Sequence, residues 1–491
     1  MRPHRLLPLL VALLGGWAGA AEPLRLDQAM AHALDASPAL RAQQLELQRQ
    51  EAEREIAAAQ RLPRVDLAAQ AFHAANPTLV APTRRAGSSP PLDRDVAAVE
   101  LALTLPLVTG GRLDAAEALA GHGRDAAAAG LRVAEQDLLL EVAATYAKAL
   151  QLHDMRAVAH ARIAALQAEQ LQRQRRFDEG RAARLDLMRL QTQLSQAQHD
   201  LLVVEQGERD ARALLAALLA STDPLPPLAP LPAELMSTPS RQRDADPAGH
   251  GGAETEVDAV DRAVDHALAQ RPELRRAQAR VQAADAQRRI AESALAPQLS
   301  LVAQASASTG GDLHGYADGR VGVQLAIPIF DGSIRRQRAS QAALERDRQS
   351  LAAEDLRHRL AAEVRQAHGA LRESHARLAV AAQGEREAEE ALRIESARLD
   401  AGEGTVGDLL AADAALWAAR VARLQAGYDG VVARARTLRA AGELDAQDFA
   451  PPVRAEALAD HAPAGAAVPA VAPVSAPAPT GLPATTRDRS S

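Results

Sequence analysis

The chain has 491 residues, of which 47% are apolar and only 2% aromatic; its formal net charge is −7 and it contains no cysteine. The length allows about two to four ordinary domains. The missing cysteine excludes disulfides, thiolate metal sites, a cysteine nucleophile and a lipidated N-terminal cysteine, and the acidic balance gives no reason to expect a nucleic-acid partner.

The N-terminus has the pattern of a secretory signal peptide. Arg2 and Arg5 precede an apolar run at 6–14, and small residues follow at 18–20. This order predicts a leader at 1–20 that is cut after Ala20. A membrane anchor is the alternative, but the run is shorter than the about 20 residues that a spanning helix needs.

The stretch 21–221 is predicted to hold a helix, two strands, a very long helix, a turn and another helix. Ser37 and Pro38 are typical of a helix start, and Pro63 ends that helix. Alternating patterns predict strands near 64–73 and 96–108. The odd positions of the second strand are all aliphatic: Val99, Leu101, Leu103, Leu105 and Leu107.

A proline-rich and polar segment at 222–255 is predicted to be a linker, after which the same pattern restarts. Pro297 follows Pro63 by 234 residues, and Pro328 follows Pro106 by 222. The stretch 256–450 is therefore a second copy, with strands near 298–307 and 320–330. The last segment, 451–491, is rich in alanine and proline and is predicted to be disordered.

Both copies lack proline over their long helical regions and repeat apolar residues at every seventh position. A sustained seven-residue repeat favours coiled-coil packing of long helices. The clearest sets are Leu187, Leu194 and Leu201; Val364, Leu371 and Leu378; and Leu392 with Leu399.

The strands have the length of tilted membrane-spanning strands, about nine to eleven residues. In lipid such strands must close into a barrel, and four strands per chain are too few, so an open pore requires several copies. Even-numbered positions such as Glu100 and Gln324 are expected to face a wet lumen, and odd-numbered ones lipid. A soluble protein with small sheets buried against helices is the alternative, and the scarcity of aromatic residues speaks for it.

The turns between paired helices share the pattern R-x-D-x-G-x5-D-L. It occurs at Arg176, Asp178, Gly180 and Asp186, and again at Arg398, Asp400, Gly402 and Asp408. One interpretation is local, with glycine ending a helix and aspartate capping the next. The other makes these turns the far tips of an assembly, where a partner docks and where Asp400 and Asp408 form carboxylate rings that gate ions.

No motif for catalysis or cofactor binding is present. The fourteen histidines lack the spacing of zinc enzymes, and the P-loop, dinucleotide and nucleophile-elbow patterns are missing. We therefore expect no enzyme activity, no cofactor and no metal site, and a secreted enzyme is the least supported alternative.

These features together resemble the outer membrane efflux proteins, the TolC family. The resemblance rests on the paired proline-led strands, the Leu-Pro-Leu and Ile-Pro-Ile sequences and the two tips, and it covers about 24–444. The sequence departs from the family pattern at 402–404, which read Gly-Glu-Gly, and in its thin aromatic girdle.

The resemblance implies a mainly helical fold with a membrane β-barrel. Three chains would form twelve strands in the outer membrane and a helical tunnel through the periplasm. It also implies a passive exit duct of an efflux pump or type I secretion system, with the tips contacting a periplasmic adaptor that is joined to an inner-membrane transporter. A soluble periplasmic coiled-coil adaptor or scaffold is the alternative function.

Overall fold

The computed structural model describes residues 22–81, 91–236 and 256–450. The signal peptide at 1–20, most of the linker and the tail at 451–491 lie outside the described residues. In the described part of the chain, none of the helices combines the length and the apolar content needed to cross a membrane.

The architecture is a tandem duplication, as predicted from the sequence. Each copy runs through two short helices, a β-hairpin, a helix of nearly seventy residues and a shorter helix that returns along it. The first copy contains α1 (Leu26–Ala36), α2 (Pro38–Ala59), β1 (Arg64–Leu79), β2 (Leu92–Val108), α3 (Arg112–Asp178) and α4 (Arg184–Leu218). After a one-turn helix α5 (Ala233–Met236), the second contains α6 (Glu256–Gln270), α7 (Pro272–Ser293), β3 (Gln298–Thr309), β4 (Gly315–Ala326), α8 (Ile334–Ala401), α9 (Val406–Ala441) and a 3₁₀ turn (Ala446–Phe449).

The first helical region is two helices rather than one. Ser37 lies between them in extended backbone, and its side-chain oxygen accepts a hydrogen bond from the Leu40 N–H at 3.4 Å. Pro38 occupies the first helical position, where no N–H donor is needed. The second copy repeats the break, with Arg271 between α6 and α7 and Pro272 starting α7.

The long helices pack as antiparallel pairs, α3 with α4 and α8 with α9. Buried positions along α4 step by three, four or, once, seven residues, which is the spacing of a coiled-coil seam. Leu194 of the predicted repeat lies in this seam, whereas Leu187 and Leu201 are only half-buried. The fully buried members are Leu190, Leu194, Ala197, Val204, Glu208, Ala211 and Leu215.

The largest apolar core joins α1 to α3, α9 and the beginning of the linker. Leu24 and Leu228 form a parallel β-bridge. The Tyr146 hydroxyl lies 2.7 Å from the carbonyl oxygens of both Leu24 and Ala229. The described part of the linker is therefore packed structure that fastens the two copies together, and not the loose connection that its proline content suggests.

The four strands form one antiparallel sheet in the order β1-β2-β3-β4. Along most of each ladder, odd-numbered residues pair with odd ones: Val65 lies opposite Leu103, and Leu299 opposite Leu325. The exceptions follow register shifts near strand ends, where Thr78 lies opposite Asp93 and Val108 opposite Leu299. Even-numbered Glu100 accepts a hydrogen bond from Gln304 on the neighbouring strand. The register thus gathers aliphatic side chains on one face of the sheet and polar ones on the other.

The strand boundaries differ most at β4. The alternating pattern predicts a strand near 320–330, but the strand starts at Gly315 and ends at Ala326. β1 and β2 are also longer than predicted at their hairpin end, reaching Leu79 and beginning at Leu92. The physical reason is pairing: β3 supplies β4 with partners up to Ala326 and none beyond it.

A buried ion network holds α7 against the long helices. The Arg271 side chain is 2% exposed and donates to Glu273 at 2.8 Å, and its other terminal nitrogen lies 3.1 Å from Glu363 on α8. Glu273 also lies 2.6 Å from Arg439 of α9, which reaches Asp137 of α3 at 2.7 Å. Burial raises the pKa of Glu273, but the two arginines outweigh it and hold that pKa at about 2.

We predict that acid weakens this network. Because the pKa of Glu273 is lower in the folded than in the unfolded protein, its stabilisation is complete above about pH 4.5 and is lost as the pH falls towards 2. Glu273→Gln should therefore lower the thermal midpoint at neutral pH and flatten its acid dependence, measured by circular dichroism in detergent. Removing one member of a buried pair typically costs about 3–5 kcal/mol.

Glu345→Gln is the matched control, since it removes the same charge from an exposed pair with Arg348 on α8. Such exposed pairs contribute little to stability, because water and salt screen the two charges. Equal shifts in the two variants would contradict a special role for the buried network.

Candidate functional site: the two helix–helix turns

The first turn, tip 1 (176–186), ends α3 with a left-handed glycine. Gly180 has φ of 74°, a conformation that glycine adopts without steric cost. The Arg181 N–H donates to the carbonyl oxygen of Arg176 at 2.7 Å, and the Gly180 N–H to that of Phe177 at 2.8 Å. This is a Schellman arrangement, which satisfies the last carbonyl groups of the helix.

The second turn, tip 2 (398–408), repeats the arrangement 222 residues later. Gly402 has φ of 82°, and the Glu403 N–H donates to the Arg398 carbonyl oxygen at 2.9 Å. Gly404 also donates to that oxygen, at 3.1 Å, and a Cβ there would lie 3.1 Å from the Leu399 nitrogen. The Gly-Glu-Gly sequence therefore suits a tighter turn than tip 1.

The two tips begin their second helices differently. At tip 2 the Thr405 hydroxyl accepts from the Asp408 N–H at 3.2 Å, and the Asp408 carboxylate accepts from the Thr405 N–H at 3.3 Å. The Thr405 hydroxyl also donates to the Asp408 carboxylate at 2.7 Å, and this bond is the main cause of a lowered pKa of Asp408, followed by the bond from the Thr405 N–H. Tip 1 has Ala183 at the matching position, so Asp186 has no capping side chain to pair with.

An ion pair joins the tips. The Arg176 guanidinium lies 3.1 Å from the Asp400 carboxylate, across from the end of α3 to the end of α8. The corresponding residues of the other copy stay local: Arg398 pairs with Glu395 one helical turn earlier, and Asp178 accepts from Gln174. The structure thus brings together two of the predicted site residues that the sequence placed on separate hairpins.

Below the turns, an apolar cluster ties the hairpins to one another. It includes Leu166 of α3, Leu190 of α4 and Leu399 of α8. Leu399 is buried, whereas Phe177 at the matching position of tip 1 remains partly exposed. A groove of about 500 Å³ runs between α4 and α9 just beyond this cluster, and its lining residues include Leu185, Met188, Arg189, Thr192, Gly407, Leu410 and Ala414.

The charge of the two tips has diverged. Tip 1 has three arginines against three carboxylates, and tip 2 has one arginine against three carboxylates. Because α3 and α8 each run for nearly seventy residues away from the sheet, at about 1.5 Å per residue, both tips lie about 100 Å from it. The acidic excess is therefore concentrated on one tip at the far end of the molecule.

The histidines form no comparable site. Burial lowers the pKa of His368 on α8, and burial together with Arg434 lowers that of His375. Within 22–81, 91–236 and 256–450, no group of three histidine or acidic side chains is placed to hold a metal ion.

Comparison with known proteins identifies the family. The model of the outer membrane efflux protein family matches residues 29–221 and 263–443, well over half of the chain. This protein belongs to the outer membrane efflux protein family. It is accordingly a protein of the cell outer membrane, homologous to efflux channels. No curated protein sequence matches it significantly.

Solved structures share the fold at low sequence identity. The outer membrane protein VceC from Vibrio cholerae is 20% identical with a TM-score of 0.71, covering 85% of this chain and 96% of that one. A membrane protein from Pseudomonas aeruginosa is 22% identical with a TM-score of 0.71, covering 85% and 93%. The MtrE outer membrane channel of Neisseria gonorrhoeae, in its open state, is 21% identical with a TM-score of 0.69, covering 86% and 90%.

We predict that Arg176→Ala loosens the two tips relative to one another. The cysteine-free chain allows spin labels at Glu179→Cys and Glu403→Cys, one on each turn. Losing the only ion pair described between the two turns should broaden the label-to-label distance distribution measured by pulsed electron paramagnetic resonance. High salt should produce part of the same broadening, because exposed pairs are screened.

Arg398→Ala is the matched control, since it removes the same side chain from a pair that stays within α8. If both variants give the same distribution as the parent, the apolar cluster alone holds the tips together.

We predict that Thr405→Ala frays the start of α9. Loss of a threonine cap costs about 1 kcal/mol. Amide exchange at 406–409 should accelerate accordingly, while exchange in the first turn of α4, which has no such cap, stays unchanged. Unaltered exchange in α9 would show that the Leu409 and Leu410 packing is sufficient by itself.

Proposed function

We propose that three copies of this chain form a passive exit duct across the outer membrane, with twelve strands in the membrane and the long helices extending into the periplasm. The observation that carries this proposal is the sheet. It presents an exposed aliphatic face, including Leu67 at 70%, Val321 at 78% and Val323 at 67% exposure. In the part of the chain that the structure describes, the sheet also ends at β1 and β4, each of which is paired on one side only.

An aliphatic face of this kind is stable against lipid, and unpaired strand edges in lipid are not. Additional copies satisfy both conditions, because they continue the sheet until it closes. The opposite face carries Glu100, Gln304, Ser306 and Gln324, which suit a water-filled interior. The alternative of a soluble adaptor or scaffold does not explain why the apolar face is exposed.

We infer further that the tips are the end that meets a periplasmic adaptor and, through it, an inner-membrane transporter. The predicted contact residues are Arg176, Asp178, Gly180, Asp186, Arg398, Asp400, Gly402 and Asp408. The groove between α4 and α9 supports this, since it combines the exposed Leu185 and Met188 with the cationic Arg189. A helical hairpin with apolar and acidic side chains fits that lining.

We also propose that tip 2 forms the gate. In a threefold ring, Asp400 and Asp408 each repeat three times around one axis, and rings of carboxylates at a constriction favour cations. Asp400 also forms the ion pair with Arg176. The same carboxylate thus belongs to the proposed ring and links the two helical hairpins.

The duct is tested by fractionation and planar-bilayer recording. We expect the full-length protein in the outer-membrane fraction as a heat-dissociable trimer, with cation-preferring conductance in bilayers. Recovery as a soluble periplasmic monomer would exclude the proposal.

We predict that Asp400→Ala with Asp408→Ala raises conductance and reduces cation preference, because the ring charge and the tip ion pair are both lost. Asp178→Ala with Asp186→Ala is the matched control in tip 1. The single variant Thr405→Ala separates loss of the cap from loss of the charge. Indistinguishable conductance for both double variants would assign Asp400 and Asp408 to helix capping and local pairing alone.

A further inference from the structure

The internal duplication predicts how neighbouring chains of this protein join. We propose that β4 of one chain pairs antiparallel with β1 of the neighbouring chain, in a register that places Gln324 opposite the partner subunit's Gln70. This inference rests on the proposed trimer and specifies its contact surface, which is a second copy of this chain.

Two differences in residue number relate the two internal repeats of the chain. β3 follows β1 by 234 residues, and β4 follows β2 by 222, as their matching prolines show. The structure tests these offsets independently. Val65 pairs with Leu103 in the first hairpin; shifting each residue by its offset gives Leu299 with Leu325, which is a pair in the second hairpin. The two hairpins therefore have the same internal register.

The junction between the hairpins, β2 with β3, can be shifted in the same way. Ala102 pairs with Gln304. Moving Ala102 forward by 222 gives Gln324 on β4, and moving Gln304 back by 234 gives Gln70 on β1. β2 is followed by β3, the counterpart of β1, but among the described residues no such strand follows β4 in the sheet. The equivalent junction therefore needs β1 of another chain. Odd residues again meet odd ones, so the aliphatic and polar faces continue across the seam.

The side chains at this seam complement one another. The pair Glu100 and Ser306 shifts to Gly322 opposite the partner's Phe72. A Cβ on Gly322 would meet no atom within 4 Å, and Phe72 is 44% exposed in the single chain. An aromatic ring over a glycine on the neighbouring strand is a known way to stabilise such a position.

The seam also accounts for the short β4. Residues 105–108 of β2 remain in a strand because β3 pairs with them, Leu105 with Leu301 and Val108 with Leu299. Their counterparts at 327–330 have no strand partner among the described residues of one chain, and Ile329 and Phe330 are 92% and 87% exposed. In the proposed register Ile327 lies opposite the partner's Leu67, and β4 extends to the length that its alternating sequence predicts.

The helices indicate the same seam. α7 packs against both α3 and α8, and α2 packs against α3. Ala279 on α7 is 6% exposed, whereas Leu45 at the matching position of α2 is 58% exposed. The face of α2 that corresponds to the buried face of α7 is thus open in one chain. In the proposed trimer, α8 of a neighbouring chain covers this face, because α8 is the counterpart of the α3 that covers α7.

Disulfide trapping tests the register, because the chain has no cysteine of its own. In the full-length protein, Gln70→Cys with Gln324→Cys should form covalent dimers and trimers under mild oxidation of outer membranes. Directly opposite residues on paired strands have the Cα separation that a disulfide needs. Ala102→Cys with Gln304→Cys, the intrachain equivalent, is the positive control and should oxidise without change of chain number.

Two off-register pairs provide the contrast: Gln324→Cys with Ala68→Cys, and Gln324→Cys with Phe72→Cys. Each is displaced by two residues on the same face and should cross-link several-fold less. A trimer whose strongest cross-link is off-register overturns this inference and leaves the duct intact. A monomer with no intermolecular cross-link overturns both.

If the double variant fails to accumulate, Gln70→Cys and Gln324→Cys are placed on separately tagged chains and expressed together. A covalent dimer carrying both tags supports the seam, and its absence from tagged, assembled trimers overturns it.

Discussion

The backbone of a strand must be paired wherever water is excluded, and this requirement governs the whole molecule. Within the described residues, the sheet satisfies this requirement on three ladders and leaves β1 and β4 with one unpaired edge each. A soluble protein would cover such edges and bury the aliphatic face, whereas this chain leaves both accessible. The helices show the same difference: Leu45 on α2 is exposed, whereas Ala279 at the matching position of α7 is buried. In the described part of a single chain, one edge of β1, one edge of β4 and one face of α2 therefore remain open.

Because the chain is an internal duplication, equivalent positions of its two repeats can be compared. The two copies share hairpin register, helix breaks and Schellman turns, but they differ at the tips. Tip 2 has the tighter turn, the Thr405 capping box and the acidic excess, while tip 1 is charge-balanced and uncapped. Leu399 enters the core where Phe177 stays near the surface. Divergence at equivalent positions favours separate tasks for the two hairpins, and a gate that uses one hairpin more than the other is consistent with it.

Several features were predictable because they depend on local chemistry. Period-two alternation locates the four strands, and glycine in the R-x-D-x-G pattern indicates a left-handed helix end. The Thr405 capping box could have been recognised from its threonine and aspartate three residues apart, and was missed. The pair between Arg176 and Asp400 could not, since it joins residues 224 apart that only helix packing brings together. The same holds for Arg271, Glu273 and Arg439, whose charges are tolerated in the interior only because they meet one another.

The sequence by itself determined the duplication, the type and order of the elements and the separation of apolar from polar strand faces, because these follow from periodicity and from the intrinsic preferences of proline, glycine and alanine. Only the tertiary structure decided which carboxylates pair across the tips, how the start of the linker packs, and where β4 ends. Those outcomes depend on whether a partner lies within reach in three dimensions. For the last four residues of the alternating pattern at β4, no such partner exists in the described part of a single chain.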